Sequence, residues 1–132
     1  MKSVRAFRGA TQLEADDAAE MREAVSQLLE SIIEANGLKD EDLISILLTA
    51  TKDLRCEFPA VGARMFGITD VPLICAQEID VQGALPRTIR ILIHAESDLS
   101  RAQIQHKYLR GAQVLRPDLS GKDGSVGPSG NK

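Results

Sequence analysis

Cysteine is scarce. The chain has two, Cys56 and Cys75, too few for a disulfide framework, and their free use points to a reducing compartment. There is no C-x-x-C spacing, and the two histidines, His94 and His106, do not pair with the cysteines in a zinc pattern. Long apolar runs are missing as well. No segment reaches the length that a membrane span needs, and residues 1–10 carry no apolar signal stretch, so a cytoplasmic location is expected. Positive charge is not in excess. The formal net charge is -3 and the pI about 5.4, which argues against a nucleic-acid footprint but leaves room for a local basic pocket. A phosphate loop, a Ser/His/Asp set, a Rossmann fingerprint and a metal cluster are all absent.

What is present describes an ordinary globular chain. Hydrophobic residues make up 43% and charged residues 27% of 132 residues, enough for one domain with a core that needs neither disulfide nor metal. Residues 3–9 read as a first strand, with Val4, Ala6 and Arg8 on one face and Arg5 and Phe7 on the other. Asp16 and Asp17 are N-cap candidates, and Glu20 lies three residues after Asp17 as a capping box requires. The helix they open runs to about residue 35. Its apolar stripe is Met21, Val25, Leu28, Leu29 and Ile32, and Asn36-Gly37 stops it.

Residues 43–51 form an apolar run that reads as a buried strand, with a helix beginning at Asp40 as the alternative. Pro59–Phe66 reads as a short helix with proline in its first turn. Residues 71–76 and 88–95 read as further strands, separated by a turn at Gly83 and Pro86. Ser100 is placed to cap a helix through about His106. Arg116-Pro117 closes the ordered pattern, and residues 120–132 have the composition of a flexible tail. The order is thus roughly β-α-β-α-β-β-α, an α+β or open α/β domain of residues 1–119, taken as α+β with a small mixed sheet flanked by helices. A sheet that small gains from burying a face or edge against another copy, so a homo-oligomer is expected.

Several residues could carry chemistry. Ile89, Ile91 and Ile93 share one strand face, and Arg90, Leu92 and His94 the other. A cation in mid-strand is costly unless its face is solvated or meets an anion. Arg90 is therefore either a solvent-facing charge or a guanidinium in a cleft, and Arg8 poses the same choice. Glu78, beside Gln77 and Asp80, reads alone as an acidic strand end. Cys75 reads as a packed thiol without a nucleophile signature. Tyr108, the only tyrosine, can be explained by packing. Arg64 and Arg116 read as surface charges, and His106 as a solvated helix end. On residues alone, the chain offers an anion-binding pocket.

In combination these segments say more. Val4-Arg5-Ala6-Phe7-Arg8-Gly9-Ala10-Thr11, Phe58-Pro59-Ala60, Val71-Pro72 with Cys75-Ala76-Gln77-Glu78, Ile89-Arg90, His106-Lys107-Tyr108-Leu109 and Val114-Leu115-Arg116-Pro117-Asp118-Leu119 together resemble the monofunctional, trimeric chorismate mutases. No one of the six motifs is specific, but six in order are, and they cover nearly the whole chain up to Ser120.

The resemblance implies a trimeric α/β pseudo-barrel with active sites at subunit interfaces. It also implies the cofactor-free rearrangement of chorismate to prephenate, toward phenylalanine and tyrosine. Positions matching Arg8, Arg90 and Tyr108 would bind substrate, with Arg90 stabilising the breaking ether bond and Glu78 assisting. Ile74, Cys75, Ala76, Gln77 and Glu78 would line the site, with Cys75 and Glu78 near the ring hydroxyl. Phe58, Arg64 and Arg116 would form its wall and mouth. The alternative on the same residues is a non-catalytic trimer that binds a carboxylated metabolite.

The chain departs from the family pattern at three places. Val61 stands where a lysine can follow Phe-Pro-Ala. Ile74 takes a threonine-like position, which leaves only its backbone polar. The stretch between Phe58 and Val71 is one residue shorter. Cys75 and Glu78 would point to opposite faces of a regular strand. Reaching one ligand together therefore calls for a break or bulge near Ala76-Gln77. The tail after Ser120 is expected to close partly over the site.

Overall fold

A computed structural model describes residues 1–116. The expected tail at 120–132 and the closure assigned to it lie outside the described residues. Five strands form one mixed sheet: β1 (Ser3–Gln12), β2 (Leu43–Ala50), β3 (Leu73–Gln77), β4 (Thr88–Ser97) and β5 (Lys107–Tyr108). Their order is β3-β2-β4-β1-β5. β4 pairs antiparallel with β1 and β2, while β2–β3 and β1–β5 pair parallel. Two helices, α1 (Ala18–Asn36) and α2 (Pro59–Phe66), complete the frame.

α1 forms where the caps require. The Asp17 carboxylate accepts from the Glu20 N–H at 2.8 Å, and Glu20 reaches back to the N–H groups of Glu14 and Ala15. Its stripe of Met21, Ala24, Val25, Leu28, Leu29 and Ile32 is fully buried. Each large side chain there contributes about 1.5–3 kcal/mol before chain entropy is counted. Gly37, at φ 63°, ends the helix and returns its N–H to Glu34 and Ile33. Gly62 lets α2 sit close to α1, since a Cβ at that position would stand 2.8 Å from Val25 Cβ.

Strand alternation gives the sheet two faces. Phe7, Ile46, Leu48, Ile89, Ile91 and Ile93 turn toward α1 and α2 and are buried. Val4, Ala6, Arg8, Leu47, Ile74, Ala76, Arg90 and Leu92 alternate onto the other face and are exposed or half-buried. The helices cover one side only. No helix among the described residues is long and apolar enough to cross a membrane.

Three expectations need correction. The helix from Ser100 to His106 is a single 3-10 turn, Arg101–Gln103. The capping contact at Ser100 does exist: its N–H donates to Gln103 Oε1 at 2.8 Å. But the Asn36 side chain clamps both backbone groups of Gln105, each at 2.8 Å, and holds the chain extended. Residues 107–115, for which no element was expected, form β5 and a 3-10 turn at Arg110–Leu115. Third, His106 is exposed as read but ends no helix: it stands one residue before β5, and its Nδ1 accepts the Arg8 N–H at 3.0 Å. The strand after Asp40 is as read, preceded by one 3-10 turn at Asp40–Asp42.

Candidate active site

Register, rather than any local motif, gathers the charged residues. On the uncovered face Ala76 pairs with Thr49, Thr49 with Arg90, Arg90 with Ala10, and Ala10 with Tyr108. The row crosses all five strands. Glu78, one step beyond β3, donates its N–H to Ala50 O at 3.0 Å and so continues the ladder. Its carboxylate meets the Arg90 Nε at 3.0 and 2.9 Å through its two oxygens. The Thr49 hydroxyl donates to the same carboxylate at 2.5 Å. Arg90 is 41% exposed and Glu78 16%, so the pair is partly shielded from solvent on the uncovered face.

A guanidinium has five N–H groups. Glu78 engages the one on Nε, which leaves the four on the terminal nitrogens for an anionic ligand. Arg8 lies opposite Leu92, two residues along β4 from Arg90, and among the described residues its guanidinium has no hydrogen-bond or ion-pair partner. Tyr108 is 8% exposed and packs on Ala10 and Ala112. Burial, and then the Arg8 charge, push the His106 imidazole below its ordinary range. It is thereby kept neutral as an acceptor.

Phe58, Arg64 and Ile74 do not join this row within one chain. Phe58 caps the start of α2 and is 70% exposed. Arg64, on α2, is exposed. Ile74 shares the uncovered face but lies on edge strand β3, at 64% exposure. Arg116 is half-buried at the end of the described chain. Cys75, Ala76, Gln77 and Phe58 line a cleft of about 530 Å³ together with Lys52 and Arg55. Ala76 belongs to both regions, because it lines the cleft and pairs with Thr49.

The break expected near Ala76-Gln77 takes a different form. β3 does end at Gln77, yet its register with β2 runs without a shift. Cys75 packs at the core edge, while Glu78 turns to Arg90. The two therefore stay on opposite faces, and no bulge brings them to one point.

Thiol chemistry gains no support from the cleft. The Cys56 thiol is pushed up to about 11 by burial and by the Asp16 carboxylate. Among the described residues, no group of three or more His, Cys, Asp and Glu side chains could hold a metal ion.

The sequence reading passed over Thr49, which fixes Glu78. Its one signal was a polar side chain at an alternate position of an apolar strand, and this acquires meaning only through the pairing with Arg90. Lys52 and Arg55 were passed over too, having no pattern of their own.

Residues 4–119 match the profile of the family described as chorismate mutase type I. The chain belongs to this family. It is 46% identical over 118 residues to Chorismate mutase AroH of Bacillus subtilis (strain 168), covering 89% of this chain and 93% of that protein. It is 43% identical over 117 residues to Chorismate mutase AroH of Thermus thermophilus, covering 88% and 96%. A solved chorismate mutase from Clostridium thermocellum superimposes with a TM-score of 0.82 at 44% identity, covering 84% of this chain and 99% of that one. A type I chorismate mutase fold on a mixed five-stranded sheet is thus the frame of the Glu78–Arg90 row.

Proposed function

We propose that this chorismate mutase rearranges chorismate to prephenate with Arg90 as the group that stabilises the transition state. In this one-substrate pericyclic step a C–O bond breaks as a C–C bond forms. The protein must hold a compact conformer of a flexible substrate and stabilise negative charge growing on the ether oxygen. A guanidinium suits the second task, since it stays charged at any working pH and presents a planar fork of donors. A donor aimed at that oxygen gains most in the transition state, so it raises kcat more than affinity.

The observation that carries this reading is the Arg90 guanidinium, held through Nε by Glu78 with its terminal nitrogens left over. Glu78 keeps Arg90 oriented and accepts from the ring hydroxyl. Arg8 and Tyr108 grip the substrate carboxylates. Ile74, Cys75, Ala76, Gln77, Phe58, Arg64 and Arg116 form the wall and the mouth.

The working form is a homotrimer of single domains spanning residues 1–119, with sites between subunits. The uncovered sheet face supports this, with Val4 at 59%, Ile74 at 64% and, at the α2 end, Phe58 at 70% exposure. Phe58 and Arg64 on one chain then complete the Arg90 row on the next. The cytoplasm is the compartment that suits two free cysteines.

The test is direct. Purified protein is mixed with chorismate, loss of its ultraviolet absorbance is followed, and mass is measured by light scattering. Acceleration by a species of three chains is expected. Binding without turnover would overturn the catalytic reading, and a catalytically active monomer would overturn the shared site.

A further inference from the structure

We propose that Arg110, tied to α1 by Glu20 and Gln27, is a positioning residue that holds Tyr108 in place for substrate. The proposal rests on the reading of Tyr108 as a gripping residue given above. Arg110 sits at φ 54°, a left-handed conformation that a residue with a Cβ keeps only where its surroundings hold it. Two contacts do so. Its Nη1 meets Glu20 Oε2 at 3.2 Å, and its Nε donates to Gln27 Oε1 at 3.2 Å. The ion pair is part-buried, with the two side chains 27% and 19% exposed.

Glu20 is itself fixed, since its carboxylate accepts the N–H groups of Glu14 at 2.7 Å and Ala15 at 3.2 Å. The guanidinium is thereby fastened to the first turns of a 19-residue helix.

What this tie controls lies two residues back. β5 is only two residues long, and so short a ladder gives Tyr108 little hold of its own. Its ring rests on Ala10 and Ala112, with Leu85 and Leu115 around it. Ala112 belongs to the 3-10 turn that Arg110 begins. Gly111 lies against the Gln12 side chain of β1, whose amide a Cβ there would displace. Releasing Arg110 lets its backbone leave the left-handed region, moves the turn and withdraws Ala112 from beneath Tyr108.

The composition supplies a reporter. The chain has one tyrosine and no tryptophan, so its ultraviolet fluorescence reports on Tyr108 alone. The experiment measures acrylamide quenching of the substrate-free protein, and KM and kcat for chorismate, in wild type, Arg110→Ala, Arg110→Lys and Glu20→Gln. Quenching is expected to rise in Arg110→Ala and Glu20→Gln. KM rises with it by roughly threefold to fivefold, the scale of a part-buried ion pair, while kcat stays within about twofold. Arg110→Lys restores most of both, because it keeps the charge opposite Glu20.

A merely structural role would lower the melting temperature and leave quenching and KM alone, and that result overturns the proposal. So does quenching that rises without any change in KM. If Arg110→Ala fails to fold, Glu20→Gln and Arg110→Lys carry the same comparison. If the wild type shows no turnover, the functional reading falls while quenching still decides whether the tie holds Tyr108.

Discussion

Replacing Arg90 with lysine separates charge from geometry. The lysine keeps a cation opposite Glu78, so the strand is not left with an unpaired carboxylate. What disappears is the division of labour within the guanidinium. In the wild type Glu78 occupies Nε at 3.0 and 2.9 Å, and both terminal nitrogens stay available. Lysine has one nitrogen, and the 16%-exposed Glu78 competes for it directly. A preorganised donor aimed at developing negative charge is worth about 3–4 kcal/mol. At 1.36 kcal/mol per factor of ten, kcat should fall roughly a hundredfold to a thousandfold. KM should change far less, because the proposed function gives the grip on the carboxylates to Arg8 and Tyr108. The assay is steady-state loss of chorismate absorbance, with circular dichroism to confirm the fold. A kcat within about threefold of wild type would refute the role given to Arg90, since no loss of an aimed donor is that mild.

Three further outcomes follow from the same structure. Thr49→Val removes the hydroxyl that donates to Glu78 at 2.5 Å; kcat should drop by roughly tenfold, the scale of one hydrogen bond to a charged group, and KM less. Leu28→Ala empties a site at 0% exposure between α1 and the sheet and should cost about 2–5 kcal/mol in urea unfolding. His106 has its pKa depressed by burial and by Arg8, so the unfolded chain takes up its proton first. The stability it contributes is complete above the unfolded value of about 6.5 and is lost as pH falls toward the folded value. Urea midpoints measured between pH 7.5 and pH 5.5 should therefore fall more steeply in wild type than in His106→Gln, and equal slopes would contradict the assignment.

The sequence was legible where a signal repeats within one element. The five stripe residues of α1 recur at helical spacing, and all five are buried; Asp17, Glu20 and Gly37 bracket them as read. The alternation of Ile89, Ile91 and Ile93 against Arg90 likewise announced the two faces of β4. Legibility failed where structure is made by a distant partner. Ser100 and Gln103 carry a genuine capping contact, but the continuation of that helix was decided by Asn36, which holds Gln105 extended. β5 is two residues long and is a strand only because β1 lies beside it. The same holds for chemistry. Glu78 read as an acidic strand end because its partner is twelve residues on, and β2 lies between their strands.

That dependence on pairing explains why a search for local catalytic motifs came back empty, while the six ordered family segments did point to these residues. Phosphate loops and many metal sites hold their residues at fixed local spacing, so they leave patterns in a chain. A pericyclic rearrangement needs a fixed cation and a shaped recess, and here the fixing comes from strand register. Arg90 meets Glu78 because Thr49 pairs with Arg90 while Ala50 receives the Glu78 N–H. The one irregularity between β2 and β4 lies at Leu43/Ser45, before the row begins. From Ser45 to Ala50 the ladder is unbroken, and a slip of one residue there would turn Thr49 to the core face and separate it from Glu78. The regular length of β2, which looks like plain core, thus decides where Thr49 and Glu78 meet the Arg90 that β4 presents.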